Sequence, residues 1–192
     1  MAMSVTHPSG TMMRREASQL LIVDVQEKLL ATIHQVEAMI ARTRFLVEAA
    51  RVLGVPITVT EQYPKGLGPT EAALLGACGG GTPVFAKTAF SCLRDEAIAA
   101  HLNARPERRQ LVVVGMEAHV CVLQTALDAQ AAGYAVFVVG DAISSRTASD
   151  ADAARRRLEA AGISLVSAEM VFFEWLERSG TPEFKQLAPL LR

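Results

Sequence analysis

Short unbroken apolar runs alternate with longer stretches of helical spacing along this chain. Leu20–Val23 runs without a polar break to Asp24, the pattern of a central parallel strand covered on both faces and closed by one acid. Val36, Met39, Ile40, Thr43, Val47, Ala50 and Leu53 then share one helical face. Gln35, Glu37, Arg42, Arg44 and Arg51 lie largely off that face, and Gly54 stands where the helix ends. Val55–Thr60 reads as a second strand, with Pro56 near its start, completing a β-α-β unit.

Glu61–Pro69 (EQYPKGLGP) reads as a loop from its Pro and Gly, yet it sets Glu61, Gln62, Tyr63 and Lys65 directly after a strand. A short helical piece over Glu71–Gly76 and a flexible connection at Gly79–Gly81 follow. Pro83–Ala89 is a short strand with Lys87 near its end, Leu93–Leu102 a helix, and Asn103–Arg109 a polar connection. The β-branched run Leu111–Val114 stops at Gly115, and after a tight turn a helix opens at Cys121 and continues to about Ala132. Ala135–Val139 reads as a strand, Gly140–Ser145 as a loop, and Ser149–Ala161 as a helix with Arg155, Arg156 and Glu159 on its exposed side. Ile163–Val166 is the last strand, and Met170–Leu176 and Phe184–Leu191 are terminal helices. Phe172, Phe173 and Trp175 suit a core or a subunit contact better than a cofactor site.

This alternation predicts an α/β fold, a doubly wound, mostly parallel sheet sandwiched between helices in three Rossmann-like layers. Ligands in such folds sit beyond the carboxyl ends of the strands. Asp24, Glu61, Lys87, Gly115 and Asp141 all fall at such ends, although periodicity leaves open which strands are neighbours.

A length of 192 residues fits one domain, here residues 18–192, preceded by a loose arm over residues 1–17. The arm lacks an apolar core of signal-peptide length, and no later run approaches the ~20 apolar residues of a membrane span. Hydrophobic residues make up 51% and charged residues 20%, and the net charge of −1 offers no bulk attraction for nucleic acid or an anionic membrane. The expected partner is a small molecule, with no nucleic acid and no membrane. Cys78, Cys92 and Cys121 are far apart and form no CxxC pattern, which argues against a disulfide framework or zinc site and fits a reducing cytoplasm. No GxGxxG or Gly-Lys-Ser/Thr motif is present, so no nucleotide cofactor is expected.

Cys121 stands at the predicted start of a helix, where unpaired backbone N–H groups stabilise a thiolate and lower its pKa. The competing reading of that stretch alone is a small buried residue under the sheet. Three ordered motifs shift the balance: Leu-Ile-Val-Asp-Val-Gln around Asp24, Phe-Ala-Lys-Thr-Ala-Phe-Ser around Lys87, and Gly-Met-Glu-Ala-His-Val-Cys-Val-Leu-Gln-Thr-Ala around Cys121. With them the chain resembles the isochorismatase-like (cysteine hydrolase) superfamily from about Ser18 to Val166. VTEQYPKGLG and EAHVCVLQTA look closest to the branch of isochorismatase domain-containing proteins.

The resemblance implies a catalytic triad of Asp24, Lys87 and Cys121, with Lys87 stabilising the thiolate and Asp24 exchanging its proton. It implies an oxyanion hole from the backbone N–H groups of Glu117 and Cys121, a cis Met116–Glu117 bond, and a homo-oligomer. Nicotinamidases of the superfamily bind a metal through Asp-x-His and a further histidine after the second strand. Here that region reads Glu61-Gln62-Tyr63-Pro64-Lys65, so no metal and no other cofactor is expected. True isochorismatases lack the nucleophilic cysteine, so vinyl-ether cleavage is not carried over from the family name. Gln62, Tyr63, Phe90 and His119 are expected to line a pocket for a small amide or related acyl compound. Glu117 places an acid beside the supposed oxyanion hole, which calls for a cationic partner or an outward orientation. The expectation is a cofactor-independent hydrolase working through a thioacyl intermediate. The alternative is a non-catalytic small-molecule-binding or scaffold protein that retains the fold.

Overall fold

In a computed structural model describing residues 12–191, six strands form one sheet: β1 (Ser18–Val23), β2 (Ile57–Gln62), β3 (Val84–Lys87), β4 (Gln110–Met116), β5 (Ala135–Ser144) and β6 (Ser164–Val166). Their order is β3-β2-β1-β4-β5-β6, and every pairing is parallel. The strand order reverses between β1 and β4, so a crevice opens beyond their carboxyl ends.

The unbroken apolar character of β1 and β4 follows from burial on both faces. Leu20, Ile22, Val112, Val114 and Met116 enter one core with α2 (Val36–Leu53) and α8 (Ala168–Leu176), while Leu21, Val23, Leu111 and Val113 enter a second. Helices α5 (Glu96–Asn103), α6 (Leu123–Ala131) and α7 (Ala148–Ala160) cover that second face. The remaining helices are short: α1 (Glu27–Leu30), α3 (Pro64–Leu67), α4 (Ala72–Cys78) and α9 (Pro182–Leu187).

Several boundaries move from their sequence positions, each for a local reason. β2 runs on to Gln62, because the Glu61 and Gln62 backbone pairs with Ala86 and Lys87 of β3. β5 extends through the expected loop to Ser144: its register against β4 shifts between Val113 and Gly115, and the extra residues bulge before Ile143 and Ser144 pair again. The expected helix Leu93–Leu102 divides into a 3₁₀ turn, Cys92–Arg94, and α5, because the Asp95 carboxylate accepts the N–H groups of Ala97 and Ile98 and starts a new helix.

Phe172 and Trp175 are core residues, whereas Phe173 of the same cluster is 47% exposed. Arg155 is half-buried rather than fully exposed: it donates to the Gly140 carbonyl and pairs with Asp152. The end of the expected arm is tied down. Met13 is buried, its N–H donates to Glu174, and the Arg14 N–H donates to Gln110. Residues 1–11, the rest of that expected arm, lie outside the described residues.

Candidate active site

Asp24 follows the last residue of β1 and is buried, with φ +51°. Left-handed backbone is unfavourable for a residue with a Cβ and persists only where neighbours fix it. The Asp24 N–H donates to the Thr60 carbonyl at 3.1 Å, and the Asp24 carbonyl accepts the Gln26 N–H at 2.8 Å. Its carboxylate accepts from Thr60 of β2 at Oδ1 and from Lys87 of β3 at Oδ2.

Lys87 closes β3 and reaches past β2 to set Nζ 2.7 Å from Asp24 Oδ2, with neither side chain more than 1% exposed. Nζ also donates to Gln62 Oε1 at 2.7 Å and to the Ala89 and Phe90 carbonyls at 3.2 and 3.1 Å. This ammonium is a fixed, fully coordinated cation. Burial alone would lower its pKa, but the Asp24 charge and the Asp24 hydrogen bond act against burial, and the pKa is raised.

Cys121 lies across the β1–β4 seam. β4 reaches two residues beyond its expected stop, the Met116–Glu117 peptide bond is cis, and a π-helical turn spans Ala118–Val122 before α6. Cys121 is thus the fourth residue of that turn, not the first of a helix. The expected lowering of its pKa is corrected accordingly. Burial first, and then the Asp24 charge, push the thiol far above its ordinary range, with the Lys87 charge pulling it back and a hydrogen bond to Asp24 adding to the rise. The resting group is a neutral thiol close to the Asp24 carboxylate and to the Lys87 cation.

Gly115 lets the two strands approach. Its φ is +111°, and a Cβ there would strike the backbone carbonyl of Val23. A side chain at this position would push the turn carrying Cys121 away from the end of β1.

The four expected pocket residues are placed differently from one another. Gln62 is half-buried and engaged at both ends of its amide, accepting from Lys87 and donating from Nε2 to the Thr88 carbonyl at 2.8 Å. Tyr63 and Phe90 are 55% and 53% exposed at the same rim. His119 is half-buried, with Nδ1 2.9 Å from the hydroxyl of Ser145. Glu117, expected to need a partner, has one in Arg146. Among the described residues, no group of three or more His, Cys, Asp or Glu side chains is arranged to hold a metal ion.

Sequence reading missed Gln26, Thr60, Ser145 and Arg146. Gln26 is fully buried and clamps the Glu61–Pro69 segment, accepting the Gln62 N–H and donating to the Gln62 and Gly68 carbonyls. Its place two residues after Asp24 was a usable signal. Ser145 and Arg146 act across the seam from another strand end, and nothing local marks them.

The family model described as Isochorismatase domain matches residues 18–170. Isochorismatase domain-containing protein 2 of Danio rerio is 37% identical over 176 residues, covering 92% of this chain and 87% of the relative. The secreted isochorismatase effector Isc1 of Phytophthora sojae is 37% identical over 179 residues, covering 92% and 85%. The solved structure of MAR1 ribonuclease from Caenorhabditis elegans superposes with a TM-score of 0.88 at 38% identity, over 94% of this chain and 92% of that one.

Proposed function

This chain belongs to the isochorismatase family, and we propose on that premise that it is a cofactor-independent thiol hydrolase acting on a small amide or related acyl compound. The observation that supports this most is the fully buried Lys87–Asp24 pair, whose two charges both act on the nearby Cys121 thiol. A charge pair removed from water is costly, so a thiol placed against it has a base and a cation already oriented.

The chemistry follows from the protonation states. As Cys121 Sγ bonds the acyl carbon, its proton passes to Asp24, and the carbonyl oxygen takes the negative charge beside the backbone N–H groups of Glu117 and Cys121. Collapse re-forms the carbonyl and breaks the C–N bond, and the proton held on Asp24 leaves with the amine. Water then attacks the thioester with Asp24 as base, returning the free acid and the thiol. Lys87 keeps the carboxylate oriented and limits the charge change as the proton moves. Gln62, Tyr63, Phe90 and His119 line the approach to the thiol.

The small-molecule reading is preferred to nucleic-acid cleavage, the activity in the name of the Caenorhabditis elegans relative. Cys121 is only 6% exposed, the net charge is −1, and Arg155 is engaged by Asp152 and backbone carbonyls. A cytoplasmic setting is supported by three free, buried cysteines. Self-association is supported by the exposed Met170 and Phe173 on α8.

The test is intact-mass and product analysis against a panel of small amides, comparing the protein with Cys121→Ala. An acyl adduct or free acid from the parent, and neither from the variant, is the expected result. Equal turnover by both proteins would overturn the thiol mechanism, and saturable binding without turnover would favour the non-catalytic reading.

A further inference from the structure

Thr60 occupies β2 beside the end of β1 and is fully buried. It grips Asp24 twice: its carbonyl accepts the Asp24 N–H at 3.1 Å, and its hydroxyl donates to Asp24 Oδ1 at 2.7 Å. The other carboxylate oxygen, Oδ2, receives Lys87 Nζ. The same hydroxyl oxygen lies 3.7 Å from Sγ of Cys92, a thiol with no exposed surface whose backbone N–H donates to Thr125 Oγ1 at 2.9 Å. The Cys92 thiol is itself pushed up to about 11, by burial first and then by the Asp24 charge, so it stays protonated near neutrality.

These contacts fix the direction of the hydroxyl proton. A thiol that keeps its proton donates to Thr60 Oγ1, and that oxygen then directs its own proton to the nearer, charged acceptor. We infer that Thr60 is a positioning residue for the base: the chain Cys92 Sγ–H to Thr60 Oγ1–H to Asp24 Oδ1 holds the carboxylate in place and aimed at Cys121. The inference rests on the thiol-hydrolase reading for the use made of that carboxylate, but not for the hydrogen bond itself. The groups that face Asp24 are Lys87 from β3, Thr60 from β2, Cys92 from the 3₁₀ turn and Cys121 from the π-turn.

The experiment follows the Asp24 carboxyl carbon by NMR against pH in protein labelled with [¹³C]aspartate, alongside the rate at which acrylamide adds to Cys121 by intact mass. Thr60→Val removes the hydroxyl at nearly constant volume, Thr60→Ala provides a second hydroxyl-free variant should valine not fold, and Thr60→Ser restores the donor. In the hydroxyl-free variants, the pH at which Asp24 takes up a proton moves upward by about one unit. The acid limb of the acrylamide profile moves with it, a loss of roughly tenfold in rate within that limb. Serine returns both to the parent values. An unchanged Asp24 titration in a folded, hydroxyl-free variant overturns the inference, whatever acrylamide does. A shifted titration with no acrylamide adduct even in the parent upholds the role of Thr60 and counts against the thiol-hydrolase reading.

Discussion

Arg146 Nε lies 2.7 Å from Glu117 Oε1, so the acid next to the candidate oxyanion hole is neutralised by a residue from beyond the end of β5. Glu117 is 16% exposed on its side chain and Arg146 59%, which makes the pair an edge feature with little weight in stability.

Removing the guanidinium leaves the carboxylate uncompensated at the rim. Arg146→Ala therefore slows modification of Cys121 by the anion iodoacetate about tenfold relative to neutral iodoacetamide, while folding stability changes by less than ~1 kcal/mol. Paired alkylation rates by mass spectrometry, with urea unfolding as the control, check this. An equal effect on both reagents would mean that Glu117 does not face the approach to the thiol.

The Lys87–Asp24 pair carries the opposite expectation, since both side chains are withdrawn from water. Lys87→Met leaves Asp24 as an unpaired buried charge and lowers stability by roughly 3–5 kcal/mol. Adding Asp24→Asn in the same chain restores part of that loss, a non-additivity read from urea midpoints at unchanged slope. Strict additivity of the two substitutions would deny the coupling.

Stability should also fall in alkali, and the sign is set by the cysteines. Burial holds the Cys78 and Cys92 thiols up to about 11 in the folded protein, and Cys121 is raised further. In the unfolded chain a thiol ionises near ~8.5, so above that pH the folded state binds more protons and the free energy of unfolding falls as pH rises. The contribution of each thiol is fully present below ~8.5 and is lost as pH rises toward its folded value, by about 1.4 kcal/mol per pH unit for each cysteine. The raised Lys87 acts in the same direction above its unfolded value of ~10.4. Urea titrations under reducing conditions from pH 7.5 to 10.5 show a declining midpoint, and Cys92→Ala makes the decline shallower. A flat profile would exclude this linkage.

The strands were legible where their two faces told the same story. Leu20–Val23 and Leu111–Val114 are apolar without interruption because both cores claim them, and Asp24 marks the first rim residue because a carboxylate ends such a run. Asp24, Lys87 and the cysteine turn could be read from ordered motifs, but their meeting depended on the strand order, which no local pattern encodes. The π-turn at Ala118–Val122 and the bulge in β5 escaped because each is an irregular answer to a regular-looking sequence. Thr60 looked like one more β-branched strand residue; only its pairing opposite the end of β1 gives its hydroxyl a task.

At Gly115 the seam between β1 and β4 is closed by main chain against main chain. The separation of acid and thiol is therefore a property of the polypeptide backbone, held apart from the side chains that would select a substrate. Tyr63 and Phe90, both more than half exposed, belong to loops that can change character without altering that separation. Such a molecule can be retargeted by exchanging its outer residues while its reactive centre keeps its dimensions.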